Sequence, residues 1–330
     1  MVNPNTTIVF AILGLAYPIL VIINLLFALF WITRKNWRFL YSIVIILLLF
    51  LSGNNLLQFH SPENDEDIKV VSFNCKLLGL YDDNLYDDSL ISYLNNSGAD
   101  VICLQEFYNF RQGDKTILHK FKKKLNYKFV KFMAKVEGNQ TRQLGLLFIS
   151  KHKIIECNRI PFKTVTSNLC MYADIEINSK PIRIYNAHLQ SLRLSKGDHK
   201  FIENLEQEKV VEKSKSVFKR MRKAFKIRAE QALEVKNHMN TSKFPTILCG
   251  DFNDTPLSYS YKILSHGYKD SYKEKGSGLG TTYTGNIPFL RIDYIMHSKE
   301  LKTTKYNSYK KFPSDHKLLM SSFVFMPITK

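Results

Sequence analysis

Four short segments carry the groups from which a chemical site could be built. In chain order they are Leu104-Gln105-Glu106, Asn186-Ala187-His188-Leu189, Gly250-Asp251-Phe252-Asn253 and Ser314-Asp315-His316. Each follows or ends an apolar, strand-like run, so each offers its polar side chains at a strand end. Carboxylates, amides and imidazoles in that arrangement suit a hard cation and a phosphate held together. A single three-residue match is weak, but four in one order at strand ends are strong.

Hydrolysis of a phosphate ester needs a metal to neutralise phosphoryl oxygens, a base for water, and donors for transition-state charge. Mg²⁺ suits the task, because it takes one or two carboxylates and leaves positions for water and substrate. Glu106 follows the apolar run Val101–Leu104, and Asn74 closes Val70–Phe73. Both are placed to sit beside one metal and phosphate, although either alone would read as an ordinary strand-end residue. Asp251 can accept a proton from water and Asn253 can hydrogen-bond a phosphate oxygen. These two share strand parity, so the sequence places them on one side; a simple Asp/Asn turn enforced by Pro256 is the competing reading. Asp315 and His316 precede the last apolar run, and Asp293 lies in Arg291-Ile292-Asp293-Tyr294. A carboxylate against imidazole favours the charged ring. His188 adds a second imidazole, with Asn186 two residues before it.

The elements that must position these groups are legible as apolar runs: Ile68–Asn74, Val101–Gln105, Leu144–Ser150, Met171–Ile177, Ile182–Leu189, Thr246–Asp251, Ile292–His297 and Leu318–Met326. Helical stretches fall at Asp87–Asn96 and around Glu208–Asn240. Many strands with a few helices between them argue for a layered α/β domain. The stretch 191–243 stands apart as a basic helical insertion. Val210, Val211, Val217, Phe218, Met221 and Phe225 recur at helical spacing, while Lys213, Lys215, Lys219, Arg220, Arg222, Lys223 and Lys226 crowd the rest. An ordinary solvated helix explains this, and so does a ridge that touches the phosphates of nucleic acid or lipid.

The first 60 residues differ in kind. No charge occurs from Ile8 to Ile32, a stretch long enough to cross a bilayer. A basic loop with Arg34, Lys35 and Arg38 leads to a second apolar run, expected to span 39–57. Two membrane helices at about 8–32 and 39–57 are therefore expected. The N-terminus carries no Lys or Arg before the first run, which disfavours a cleaved signal peptide. The basic loop should stay in the cytoplasm, which would put both hairpin ends and the catalytic domain outside. Residues 61–67 form an acidic linker, and the folded domain is expected over 68–326. The net charge of +18 suggests an anionic partner without choosing one. Five cysteines show no metal-binding spacing, and Cys75, Cys103 and Cys249 read as small core residues.

Together these motifs closely resemble the endonuclease/exonuclease/phosphatase superfamily, whose branches include deoxyribonuclease I, apurinic endonucleases, inositol polyphosphate 5-phosphatases and neutral sphingomyelinases. The resemblance covers about Ile68 to Phe325 and is supported further by Ser72-Phe73-Asn74, Gly145–Lys151 and Arg291–Tyr294. It implies a four-layered α/β sandwich, deoxyribonuclease I-like, with the site at one end of two packed sheets. It also implies roles. Glu106 would be the principal ligand of Mg²⁺ or Mn²⁺, with Asn74 beside it and Asp315 joining the metal sphere. Asp251 would orient or deprotonate water, and Asn253, Asn186 and Asn74 would meet the phosphate. His316 would contact the scissile phosphate, oriented by Asp293. His188 matches the branches with histidine here, whereas apurinic endonucleases carry Tyr. The insertion 191–243 is longer than usual for the family, and Lys76 stands where many members have a polar or acidic residue.

The expected function is thus a membrane-anchored, metal-dependent phosphoesterase. Its substrate would be either nucleic acid or a phospholipid or inositol phosphate. A catalytically dead anchor that binds nucleic acid or lipid is the reading of a different class.

Overall fold

The computed structural model describes residues 2–51, 57–76, 88–112, 115–135, 142–164, 166–192, 210–285, 287 and 289–327. The chain opens with helices α1 (Val9–Thr33) and α2 (Phe39–Leu51), which pack on each other. There follow β1 (Leu57–Phe59), β2 (Ile68–Asn74), α3 (Asp88–Asn96), β3 (Val101–Gln112), β4 (Lys115–Thr116) and α4 (Ile117–Lys124). Next come β5 (Phe129–Ala134), β6 (Arg142–Ser150), β7 (Ile154–Ile160), β8 (Leu169–Ile177) and β9 (Lys180–His188). The long helix α5 (Val210–Met239) leads to β10 (Thr246–Asp251), α6 (Tyr259–Ser265), β11 (Lys269–Asp270) and α7 (Ser271–Lys275). The described elements end with β12 (Ser277–Leu279), β13 (Asp293–His297), β14 (Leu301–Tyr309) and β15 (Leu318–Phe325).

Two sheets form the centre. One runs β14-β15-β2-β3-β6-β5, with β4 paired to β3; the other runs β11-β13-β10-β9-β8-β7. Strand alternation explains how they pack. Ile68 and Val70, Val101 and Cys103, Ile182 and Ile184, Ile247 and Cys249 all point inward to a common core between the sheets. The intervening residues point outward. Val71, Phe73, Ile102 and Leu104 meet the α3 and α4 side, while Tyr185, Ala187 and Leu248 meet the α5 and α6 side. Helices, sheet, sheet and helices are the four expected layers.

The N-terminal expectation is met in part. Among the described residues, only Val9–Thr33 is long and apolar enough to cross a membrane. The second helix ends by Leu51, about 20 Å of rise against a core of about 30 Å. Its expected extension through Leu57 is not a helix at that end: Leu57 begins β1 and pairs with Leu279, and 52–56 lie outside the described residues. The acidic segment packs on the domain. Glu63 pairs with Lys275 and Lys302 at 2.6 and 2.7 Å, and Asp67 accepts the amide of Phe325.

Helix α5 corrects the expected apolar face. Phe225 is buried, but Val217 and Met221 are only half-buried and Phe218 is exposed. The packed stripe begins at Ala224 and continues through Ala229, Ala232, Val235 and Met239. Lys215, Lys219, Arg222 and Lys223 are exposed on the half that projects beyond it. Residues 193–209 of the expected insertion lie outside the described residues.

Candidate active site

The inward rows that are apolar in mid-sheet turn polar at one end. Following each row to its strand end gives Asn74 on β2 (past Ser72), His188 on β9 (past Asn186) and Asp251 on β10, while Asp293 opens β13 in the same position. Asp251 is in register with His188 on one side and Asp293 on the other. Gly250 makes this possible. Its φ of +137° and the carbonyl of Ala187, which a Cβ would meet at 1.9 Å, leave room for no larger residue.

Glu106 reaches the cleft by a different device. The pairing of β3 with β6 slips between Leu104 and Phe107, a bulge that holds Glu106 at a left-handed φ of 53°. Leu104 and Phe107 both stay in the outer core, so the extra residue re-aims the Glu106 carboxylate. It lies 3.5 Å from His188 Nε2, which is 3.8 Å from Asp251 Oδ2. Asn74 Nδ2 donates to that same oxygen at 2.9 Å, and Asn253 Nδ2 does so at 3.1 Å. Asn253 is brought there by a turn and not by strand parity. Its backbone is left-handed at φ 54°, and its amide donates to Asp251 Oδ1 at 2.8 Å.

On the far side, Asp293 grips His316 Nδ1 with both oxygens at 3.0 Å. His316 Nε2 then faces Asp251 Oδ2 at 3.8 Å and Asp315 Oδ1 at 3.9 Å. The loop is pinned by Ser314, whose hydroxyl donates to the Asn74 carbonyl and accepts from the His316 amide. Thr282 Oγ1 accepts the amide of Asp293, and Tyr283 sets its ring edge-on to His316.

Burial pushes the Asp251 carboxyl up and the Asp293 charge adds to this, while His316, Asn74 and the Asn253 amide oppose it; the result is about 7. Burial disfavours charge on His316, but Asp293 and Asp251 outweigh it and hold the ring at about 10. At neutral pH His316 is therefore an imidazolium with both nitrogens protonated. Asp251, Asp293 and His316 lie close enough to frame a cation, and a cation there would have to displace the proton on the ring. The donor set that fits a hard ion is the oxygen-bearing side of the cleft, Glu106 with Asn74.

Eight of the nine expected residues converge: Asn74, Glu106, His188, Asp251, Asn253, Asp293, Asp315 and His316. Asn186 does not, and its expected phosphate contact is corrected here. It is fully buried between the sheets, donating to the carbonyls of Leu104 and Leu147 and accepting from Gln105 Nε2 at 2.7 Å. Its polar atoms are thus committed to tying one sheet to the other. Asp315 has a competitor for its charge, because Lys76 Nζ lies 2.9 Å from it. Thr282 and Tyr283 carry no signal in the sequence, while Ser314 stands in the last motif and Lys76 two places after Asn74, neither with a role that the sequence assigns.

Helix α5 fastens the site from behind. Arg228 pairs with Asp254 at 3.0 Å and donates from Nε to the Gln190 carbonyl at 2.8 Å. It thereby ties the end of β9 to the loop after β10. Arg228 is almost fully buried, so Arg228→Met leaves Asp254 charged and unpaired. The expected cost is about 3–5 kcal/mol, read as a lowered midpoint in chemical denaturation. An unchanged midpoint would show that this pair does not hold the loop. Beside it, Gln190, Ser191, Thr166, Arg220 and Lys223 line a cavity of about 490 Å³ that begins two residues beyond His188.

The sequence pattern of the Endonuclease/Exonuclease/phosphatase family matches residues 71–316, and that of a domain of unknown function matches residues 1–56. The chain therefore belongs to the endonuclease/exonuclease/phosphatase family. Members of that superfamily are phosphoesterase hydrolases. Similar solved structures include an endonuclease/exonuclease/phosphatase from Beutenbergia cavernae, 16% identical, covering 79% of this chain and 72% of that one, TM-score 0.58. The human Nocturnin catalytic domain with bound sulfate is 20% identical, with coverage of 81% and 98% and TM-score 0.57. A mannosyl-6-phosphatase from Bacteroides thetaiotaomicron is 18% identical, with coverage of 78% and 100% and TM-score 0.52. These likenesses establish the fold. No curated protein matches this chain.

Proposed function

We propose that this chain is a divalent-metal-dependent phosphoesterase that acts while anchored to a membrane. The observation that carries the catalytic reading is the buried row His188, Asp251, Asp293 with His316 held against it. Two carboxyl and two imidazole groups out of water are costly to fold, and so point to chemistry. Glu106, with Asn74 beside it, would hold Mg²⁺ or Mn²⁺, and Asp315 would join that set if Lys76 releases it. The ion supplies charge neutralisation at the phosphoryl oxygens.

The remaining work falls to the side chains. Asp251, poised near 7, orients the attacking water and takes its proton. His316, charged at neutral pH and steadied by Asp293, donates from Nε2 to a phosphate oxygen as negative charge grows. Asn253 and His188 complete the donors around the phosphate. Anchoring rests on α1; Arg34, Lys35 and Arg38 just beyond its C-terminal end suit a cytoplasmic loop, and the hydrogen bond from Thr255 to Gly14, near the other end of α1, supports a catalytic domain on the outer side.

Two substrate classes have an observation each. The exposed lysines of α5, beside the cavity at Gln190, suit a polyanion such as DNA or RNA. The apolar hairpin suits a phosphoester carried by lipid. The test is the purified full chain in detergent, assayed with and without Mg²⁺ on plasmid DNA, RNA, sphingomyelin and bis-p-nitrophenyl phosphate. Metal-dependent turnover of at least one is expected, and the preferred one fixes the class. Turnover no greater than that of the Glu106→Gln variant on every substrate would leave a membrane-tethered binding protein instead.

A further inference from the structure

Pro18 lies inside α1 and has no N–H, so the carbonyl of Gly14, four residues earlier, loses its helical donor. The catalytic domain supplies the replacement: Thr255 Oγ1 donates to Gly14 O at 3.0 Å. Gly14 allows the approach, since even a Cβ there would come within 3.2 Å of the Leu257 carbonyl. Ala11, Tyr17 and Pro18 are buried on the same side, and Asn3 reaches the Tyr259 hydroxyl. The segment thus clamped to α1 starts four residues after Asp251. The opposite side of α1, with Val9, Ile19, Ile23, Phe27 and Phe30, is exposed and apolar.

A bilayer core takes about 20 helical residues. If Arg34 and Lys35 stay at the far interface, counting back from Thr33 puts the near edge of the hydrocarbon close to Gly14. Thr255 and Leu257 pack on that very residue, so the domain sits at the membrane boundary and not at the end of a tether. Its surface agrees. Gly280 and Phe289 line the contact with α1, and their neighbours are apolar and open: Leu279 is 52% exposed and Phe289 41%. On β1, Gln58 faces the domain while Leu57 is paired with Leu279; alternation puts Phe59, 80% exposed, on the same outer face.

We infer that Phe59, Leu279 and Phe289 form a seat by which the catalytic domain rests in the lipid head-group region beside α1. The occupant of this face is the bilayer itself, because the face is continuous with a helix that crosses it. The inference rests on the anchoring reading proposed above. The same segment that carries Leu279 and Phe289 runs on to Asp293, so the seat is joined directly to the residue that holds His316.

The test uses the full chain with Trp31→Phe and Trp37→Phe, reconstituted into phosphatidylcholine vesicles whose acyl chains carry bromine near the head group. Phe289→Trp and Leu279→Trp, made separately, should lose fluorescence relative to unbrominated vesicles. Ile155→Trp, at the exposed outer edge of the six-stranded sheet, should not. Gly14→Leu added to Phe289→Trp should restore emission while the protein still floats with vesicles, because the clamp is broken and the helix remains. Equal emission at 289, 279 and 155 in protein that floats would overturn the seat alone. Failure to float at all would overturn the anchoring and the seat with it.

Discussion

Glu106→Gln should abolish phosphoester hydrolysis while leaving the fold intact. The substitution keeps the shape and removes only the charge. Glu106 is a quarter exposed at the cleft, so its neutral analogue should change stability by no more than about 0.5 kcal/mol. Its left-handed backbone is stabilised by the bulge in β3 and does not depend on the carboxylate. What is lost is the anionic oxygen best placed to hold a hard cation. A bound metal contributes several kcal/mol to transition-state stabilisation, and each 1.36 kcal/mol is tenfold in rate. A fall in kcat of roughly 10²–10⁴ is therefore expected. The check pairs steady-state turnover with a thermal melt recorded with and without Mg²⁺. The wild type should melt higher with the ion and Glu106→Gln should not. A variant that keeps both near-normal turnover and the Mg²⁺-induced shift would remove Glu106 from the metal site.

The site was legible because its residues end rows whose earlier members are apolar. Val70 to Asn74 and Ile247 to Asp251 show the change from core to chemistry in the bare sequence. The way Asn253 arrives was not legible, since strand parity and a left-handed turn both bring it beside Asp251. Asn186 was misleading because a polar residue one step inside a strand end can face either substrate or the opposite sheet. Only the positions of Gln105, Leu104 and Leu147, far away in sequence, decide which. Strands β5, β7 and β14 were missed for a common reason. Each lies at a sheet edge, where outward residues are free to be Glu156, Lys302 or Lys305 and even the inward row carries Lys131 or Arg159, so the apolar signal is diluted. Helix α5 was read from its large residues, yet it packs through Ala224, Ala229 and Ala232, where small side chains let it lie close to the sheet. The clamp on α1 did leave a trace: a proline four residues after a glycine inside an apolar helix marks a carbonyl in need of a donor.

Asp293→Asn should lower turnover and move the whole pH profile toward acid, an effect no merely structural residue would give. In the wild type the carboxylate of Asp293 is the leading influence that keeps His316 charged up to about 10, against burial. An amide of the same size fills the space without the charge, and burial then favours the neutral ring. At pH 8 the donor that faces the phosphate is lost, worth roughly 10²–10⁴ in rate for a general acid of this kind. Asp293 also raises Asp251, so its removal eases ionisation of the base wherever His316 is still charged. Both limbs of the rate profile recorded with Mg²⁺ should therefore shift downward together. Stability provides a second readout with a definite sign. A ring raised from 6.5 to about 10 on folding contributes stability that is complete below 6.5 and lost as pH rises through 10. A carboxyl raised from 3.8 to about 7 likewise contributes stability that is lost as pH rises through 7. Wild-type protein in chelator should thus grow less stable as pH rises from 6 to 10, and Asp293→Asn should flatten that slope. A variant that merely melts lower at every pH, with its rate profile unmoved, would show that Asp293 packs the loop and does not set the charge on His316.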